Sequence, residues 1–135
     1  MSTFLFVYGT LRRHSLHPMA RRLAEAARHV GAARIAGRLY NLGRFPGLKA
    51  PRTSEDWVQG DVYDLGENFE RTLKEMDAYE DAEAPTSYQR QLAAVELDDG
   101  SSVAVWVYLH LGHVQEEQFI PSGSYEENCI SEPEA

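Results

Sequence analysis

The sequence predicts a single compact α+β domain: a curved mixed sheet or small β-barrel with two main helices. Three observations predict it. Short apolar runs of strand type, several carrying a glycine, alternate with turn-forming segments, and glycine inside a strand suits strong curvature. Two segments switch to helical spacing. The chain has 135 residues, 43% of them hydrophobic, which suits one core and one domain. Residues 1–126 are expected to form that domain and residues 127–135 an acidic C-terminal tail.

The elements follow in order. Phe4-Leu5-Phe6-Val7 is a continuous apolar run and reads as a buried strand. After the loop Arg12–His17, Pro18 is acceptable in a first helical turn. Met19, Leu23, Ala26/Ala27 and Val30 recur at helical spacing, so a helix of about three turns is expected to end near Gly31. Arg34 to Tyr40 alternates polar and apolar and reads as one strand. Leu42 to Leu48 is rich in Gly and Pro and reads as a connector. Trp57 to Tyr63 is a further strand, with Gly60 marking a bulge or a close backbone approach. Phe69, Leu73, Met76 and Tyr79 return to helical spacing, with Asn68 as a candidate N-cap. Gln89–Leu97 and Val103–Leu109 flank Asp98-Asp99-Gly100-Ser101 and predict a β-hairpin.

Two places hold candidate chemistry. The first strand stops in Tyr8-Gly9-Thr10-Leu11. Gly9 permits positive φ and close ligand approach, and a bend there presents backbone N–H groups to a carboxylate or a developing oxyanion. The second is Glu80, near the C-terminal end of the later helix and flanked by apolar and aromatic residues. The negative helix end and desolvation both favour a raised carboxyl pKa, as a proton shuttle needs. Spacing alone leaves Glu80 one of many glutamates, most of which are solvated. Asp77, three residues earlier on a similar face, reads as a second site carboxylate or, more simply, as a structural acceptor of hydrogen bonds from a neighbouring loop.

The ordered set Tyr8-Gly9-Thr10-Leu11, then Met76-Asp77-Ala78-Tyr79-Glu80, then Tyr88 and Arg90 resembles the γ-glutamylcyclotransferase family. It is most similar to the small branch with γ-glutamylamine cyclotransferases and plant avirulence-induced-like proteins. Gly37-Arg38-Leu39-Tyr40, Phe45-Pro46-Gly47 and Val58-x-Gly60-x-Val62-Tyr63 belong to the same resemblance, which runs from Phe4 to about Tyr125. The chain departs from the pattern at Met76, where Leu is usual, and at Asp81-Ala82-Glu83-Ala84, a longer and more acidic link than the family's.

The resemblance implies cyclisation of a γ-glutamyl compound to 5-oxoproline, with release of an amine. It implies Glu80 as general acid/base and Tyr8, Gly9, Thr10 and Leu11 as the cradle for the γ-glutamyl part. Tyr88 is a candidate to line the pocket, and Tyr125 a candidate to close it from the C-terminal side. Arg12 is either a partner for the substrate carboxylate or a solvated side chain, and Arg90 reads as a brace for a neighbouring acid. The reaction needs a base, an acid, oxyanion donors and a coiled substrate. It needs no metal, nucleotide or covalent intermediate, so no cofactor is expected.

Other readings are weaker. His14-x-x-His17 and His110-x-x-His113 lack a clear third ligand for a metal. Ser15 and Cys129 lack a nucleophile context. A binding or regulatory module on the same scaffold is the principal alternative. Residues 1–50 hold nine Lys/Arg and one acid, Glu25, while the rest hold four Lys/Arg and twenty acids, giving a net charge of −8. The basic residues are scattered over several elements without interleaved aromatics. The reading is therefore that the halves pack together with interleaved charge, and no nucleic-acid partner is expected. No apolar stretch approaches the roughly 20 residues of a membrane span. The short apolar start, running into the Tyr8-Gly9 bend, is not expected to be a secretory signal. The single Cys129 excludes an internal disulfide framework and points to a reducing cytoplasm.

Overall fold

The computed structural model describes residues 2–8, 25, 27–42, 46–83 and 88–123, with residues 79–83 as backbone only. Seven strands are present among them. They are β1 (Phe4–Val7), β2 (Arg28–Ala36), β3 (Arg38–Asn41), β4 (Pro46–Lys49), β5 (Trp57–Asp64), β6 (Tyr88–Leu97) and β7 (Ser102–His110). A 3-10 turn, Gly66–Asn68, leads into helix α1, Phe69–Glu83. Five strands close into a barrel in the order β1-β5-β2-β6-β7, and β3 and β4 form a separate two-stranded ribbon.

The barrel closes where β7 meets β1 in parallel, at Leu5 opposite Trp106. All other strand pairs are antiparallel. This explains why β1 is apolar throughout: it is covered on both faces. Phe6 points into the barrel with Ile35, Val58, Val62, Val95, Val105 and Val107. Leu5 and Val7 point outward, against Leu73 and Met76 of α1 and Tyr63 and Tyr108 of the sheet. Full burial of such side chains stabilises the fold by roughly 1.5–3 kcal/mol each, so Leu73 and Met76 hold α1 to the barrel wall.

The close approach anticipated at Gly60 is present. A Cβ there would lie 2.3 Å from the Val7 carbonyl oxygen and 2.5 Å from Phe6 Cζ. Only a residue without Cβ lets Phe6 cross β5 at that point. The strand irregularity lies elsewhere, in β2 between His29 and Gly31.

Four local expectations are corrected. Residues 28–31 are not the end of a helix but the start of β2, pairing with β5 from Arg28 opposite Asp64 to Ala36 opposite Trp57. The extended ladder outweighs the helical spacing of Val30. Of the rest of that predicted helix, residues 18–24 and 26 lie outside the described residues. The strand expected over Arg34–Tyr40 is two strands, broken at Gly37, whose halves enter different sheets. The expected connector contains β4, with Pro46 as the first strand residue, where its missing N–H is tolerated. Asn68 ends a 3-10 turn directly before α1, and α1 runs on to Glu83, past the Tyr79 end expected from spacing. The β6–β7 hairpin forms as expected. Leu97 N–H donates to Ser101 O at 2.8 Å around a three-residue loop, with Gly100 at φ 91°.

Candidate active site

β1 delivers Tyr8 to one end of the barrel. Its ring is buried in the interior cluster, 6.4 Å from that of Phe6. Its hydroxyl donates to the Tyr108 carbonyl at 2.6 Å. β1 and β7 pair only at Leu5 and Trp106, so this bond ties the two strands together beyond their bridge. The end of β1 is thereby fixed at the point where the chain leaves for Gly9. Gly9, Thr10, Leu11 and Arg12 lie outside the described residues, as does Tyr125.

On the other side of Tyr108, its hydroxyl donates to Asp77 Oδ1 at 2.5 Å. Asp77 also receives Arg90 in a two-pronged contact, Nε to Oδ1 at 2.8 Å and Nη2 to Oδ2 at 3.0 Å. Arg90 lies across the Trp106 ring, 4.7 Å from its centroid. Partial burial opposes ionisation of Asp77, but the hydrogen bonds from Arg90 and Tyr108 and the Arg90 charge outweigh it. The carboxyl is held below its ordinary value. Arg90 is raised above its own, chiefly by its hydrogen bond to Asp77. Asp77 is thus a structural acceptor and Arg90 braces an acid, as anticipated, but the donors lie on two strands and not on a neighbouring loop.

Glu80 lies one helical turn beyond Asp77, within the last turn of α1. The described residues connect the two predicted halves of the site through a short relay. Tyr8 binds the Tyr108 backbone, and the Tyr108 side chain binds Asp77, one turn before Glu80. Tyr88, at the start of β6, donates its hydroxyl to the Pro46 carbonyl and sets its ring edge-on to His110, 5.5 Å between centroids. A Cβ on Gly47 would lie 3.0 Å from the His110 side chain. Tyr88, Pro46, Gly47 and His110 therefore pack the β3–β4 ribbon onto the hairpin, close to Arg90. His113 sits three residues past His110, and the described residues hold no cluster of three or more His, Cys, Asp or Glu able to bind a metal.

Two features were not anticipated. One is Tyr108, which contributes both its carbonyl and its hydroxyl. It stands opposite Arg90 in the hairpin register, so a three-residue loop ending in Gly100 was the available signal. The other is the pair His29 Nε2 and Asp61 Oδ1, 3.1 Å apart, with Asp61 buried and opposite Val7 on the β1 ladder. Among the described residues a groove of about 630 Å³ lies between Phe69, Leu73, Lys74, Arg90 and Trp106. A second, of about 500 Å³, lies beside Asn41 and Phe119. The first groove shares Arg90 with the Asp77 clamp.

Known proteins share this architecture. The Bacillus subtilis protein named "Putative gamma-glutamylcyclotransferase YkqA" is 27% identical over 128 residues, covering 95% of this chain and 43% of that protein. Its crystal structure matches with a TM-score of 0.70 at 25% identity, over 100% of this chain and 44% of that one. The present chain thus spans less than half the length of that relative. The crystal structure of an AIG2-like protein of Mus musculus matches at 24% identity with a TM-score of 0.67, over 91% of this chain and 87% of that one. A Pyrococcus horikoshii structure shares the fold at 19% identity and a TM-score of 0.66, over 98% of each chain. The family model described as "Gamma-glutamyl cyclotransferase, AIG2-like" matches residues 5–127, which takes in Tyr8 to Leu11, Asp77 to Glu80, and Tyr88 with Arg90. With this barrel and these motifs in the same order, the chain belongs to the gamma-glutamyl cyclotransferase, AIG2-like family.

Proposed function

We propose that the protein cyclises a γ-glutamyl amide or γ-glutamyl amine compound to 5-oxoproline and releases the free amine, with Glu80 moving the proton. The α-amine of the substrate attacks its own γ-carbonyl, forming the ring C–N bond. Glu80 takes a proton from the attacking nitrogen and returns one to the departing nitrogen as the old C–N bond breaks. Backbone N–H groups of Gly9, Thr10 and Leu11 hold the γ-glutamyl part and stabilise the oxyanion. Holding the substrate coiled supplies much of the acceleration, because the reaction is intramolecular once the ends meet. Tyr88 and Tyr125 complete the substrate pocket in this reading.

The observation that carries the proposal is the relay Tyr8–Tyr108–Asp77. It ties the strand end that leads into the cradle to the helical turn that precedes Glu80. Family membership supports the reaction class. The chemistry uses a small-molecule substrate and no cofactor. No helix among the described residues is long and apolar enough to cross a membrane. The lone cysteine fits a reducing compartment, and we assign the reaction to the cytoplasm.

The test is incubation of the protein with a panel of γ-glutamyl amino acids, γ-glutamyl-lysine and glutathione. 5-Oxoproline is detected by mass spectrometry. Release from at least one member is expected. Its absence across the whole panel would favour a binding module on the same scaffold.

A further inference from the structure

We propose that Asp77 is a positioning residue for catalysis: clamped by Arg90 and Tyr108, it fixes the last turns of α1 against the β6–β7 hairpin and so sets where the Glu80 carboxyl meets the substrate. The proposal rests on the reading of Glu80 as the proton shuttle.

The geometry is that of a device that fixes direction, not only one that adds stability. Helix α1 is held to the barrel by Leu73 and Met76, both buried. Those contacts are apolar and non-directional, and they leave the rotation of the helix end weakly defined. Asp77 follows Met76 and supplies direction. Arg90 engages both carboxylate oxygens with its planar fork, at 2.8 and 3.0 Å, a contact specific in angle as well as distance. Tyr108 adds a third bond from the neighbouring strand, at 2.5 Å. The Arg90 guanidinium itself lies over the Trp106 ring, 4.7 Å from its centroid. Its strand position opposite Tyr108 is set by the hairpin register. Two donors on adjacent strands therefore converge on one carboxylate.

That carboxylate is one turn from Glu80. The backbone of the same Tyr108 accepts the Tyr8 hydroxyl at 2.6 Å. One residue thus holds both the acid/base turn and the end of the strand that carries the cradle. An exposed ion pair would contribute little beyond local stability. Here the pair ties the turn of α1 that precedes Glu80 to two strands of the hairpin, and at a catalytic group a displacement of about 1 Å can cost up to about a hundredfold in rate.

The experiment compares Asp77→Asn, Tyr108→Phe and Glu80→Gln, singly and with each of the first two in the Glu80→Gln background. The substrate is whichever γ-glutamyl compound the wild type turns over best. Tyr108→Phe keeps the carbonyl that Tyr8 uses and removes the hydroxyl that donates to Asp77, so it remains informative should Asp77→Asn fold poorly. Folding is checked by circular dichroism, and 5-oxoproline binding by calorimetry. The expected result is a fall in kcat of about tenfold to a hundredfold for Asp77→Asn and a smaller fall for Tyr108→Phe. KM and 5-oxoproline affinity should stay within about twofold. In the Glu80→Gln background neither change should lower the residual rate further, because a positioned group that is gone has no position to lose.

A kcat within twofold of wild type for both single variants, with Glu80→Gln inactive, overturns the role of Asp77 and leaves the reaction standing. Equal losses in the presence and absence of Glu80 also overturn it, since a general loss of packing would act that way. Normal turnover by Glu80→Gln, or no 5-oxoproline from the wild type, removes the underlying reading and this proposal with it.

Discussion

Asp77 accepts three directional hydrogen bonds, two from Arg90 and one from Tyr108, and its ionisation is linked to folding. Its carboxyl sits below the ordinary value in the fold. Its contribution to stability is therefore complete above the unfolded-state pKa, about 3.9. It is lost as the pH falls through the lower, folded value. The Asp77 side chain is 42% exposed, so solvent screening limits the effect to a few tenths to about 1 kcal/mol. In urea titrations, the stability gap between wild type and Asp77→Asn should be constant above about pH 5 and should shrink below about pH 4. A gap that holds unchanged to pH 3 would show that the carboxylate is not preferentially ionised in the fold. The residue types around this carboxylate were partly legible in the sequence. Asp77 reads as a structural acceptor from its helix position, and Arg90 as a brace for some neighbouring acid from the family resemblance, without their pairing. Tyr108 does not, because its role depends on a register that the four-residue reading of the turn shifts by one. That reading would place Leu109 opposite Arg90, whereas the three-residue loop with Gly100 places Tyr108 there.

At the scale of elements, α1 shows what periodicity can and cannot deliver. Phe69, Leu73 and Met76 recur at helical spacing, and the helix forms there with Leu73 and Met76 buried on the barrel. Met76 is buried in the cluster with Leu5, Val7 and Tyr108. Met76→Ala is expected to cost about 2–5 kcal/mol, measured as a shift in the denaturation midpoint. A change below about 1 kcal/mol would mean that the helix is not packed through this side. The same periodicity misleads at residues 28–31. Val30 continues an apolar spacing that fits a helix, yet the segment belongs to a strand with eight partners on β5. Local spacing cannot register a ladder supplied from thirty residues away. β4 is hidden for a different reason. Pro46 and Gly47 are turn-type residues, and they are strand residues here because Pro46 opens the strand and Gly47 lets His110 approach closely. The break at Gly37 was invisible in an alternating pattern that runs through it, since alternation does not say which sheet a strand joins.

Over the whole molecule, the sequence halves interleave. Arg28, Arg34 and Arg38 from the basic first part pair with Asp64, Glu96 and Glu116 from the acidic remainder, at 3.3, 2.6 and 2.8 Å. Arg38 also stacks on Phe119, 3.7 Å from the ring centroid, and docks the β3–β4 ribbon to the 3-10 turn Glu116–Gln118. The charge asymmetry along the chain is thus partly cancelled across the fold, as the scattered basic positions imply. The barrel itself was legible from its glycine-bearing strands, and Gly60 explains why they can wrap so tightly around Phe6. What the pattern could not show is the closure of β7 onto β1 through a single parallel bridge. That closure brings Tyr8 to Tyr108, and so to the helix that carries Glu80. The central claim is that this helix presents Glu80 as the proton shuttle of an intramolecular cyclisation. It is tested most directly by measuring 5-oxoproline release from the best γ-glutamyl substrate by wild type and Glu80→Gln, with 5-oxoproline binding followed in both. The account predicts a loss of at least about a hundredfold in kcat, retained binding, and disappearance of the rising limb of the wild-type pH–rate profile. Near-normal turnover by Glu80→Gln would contradict it.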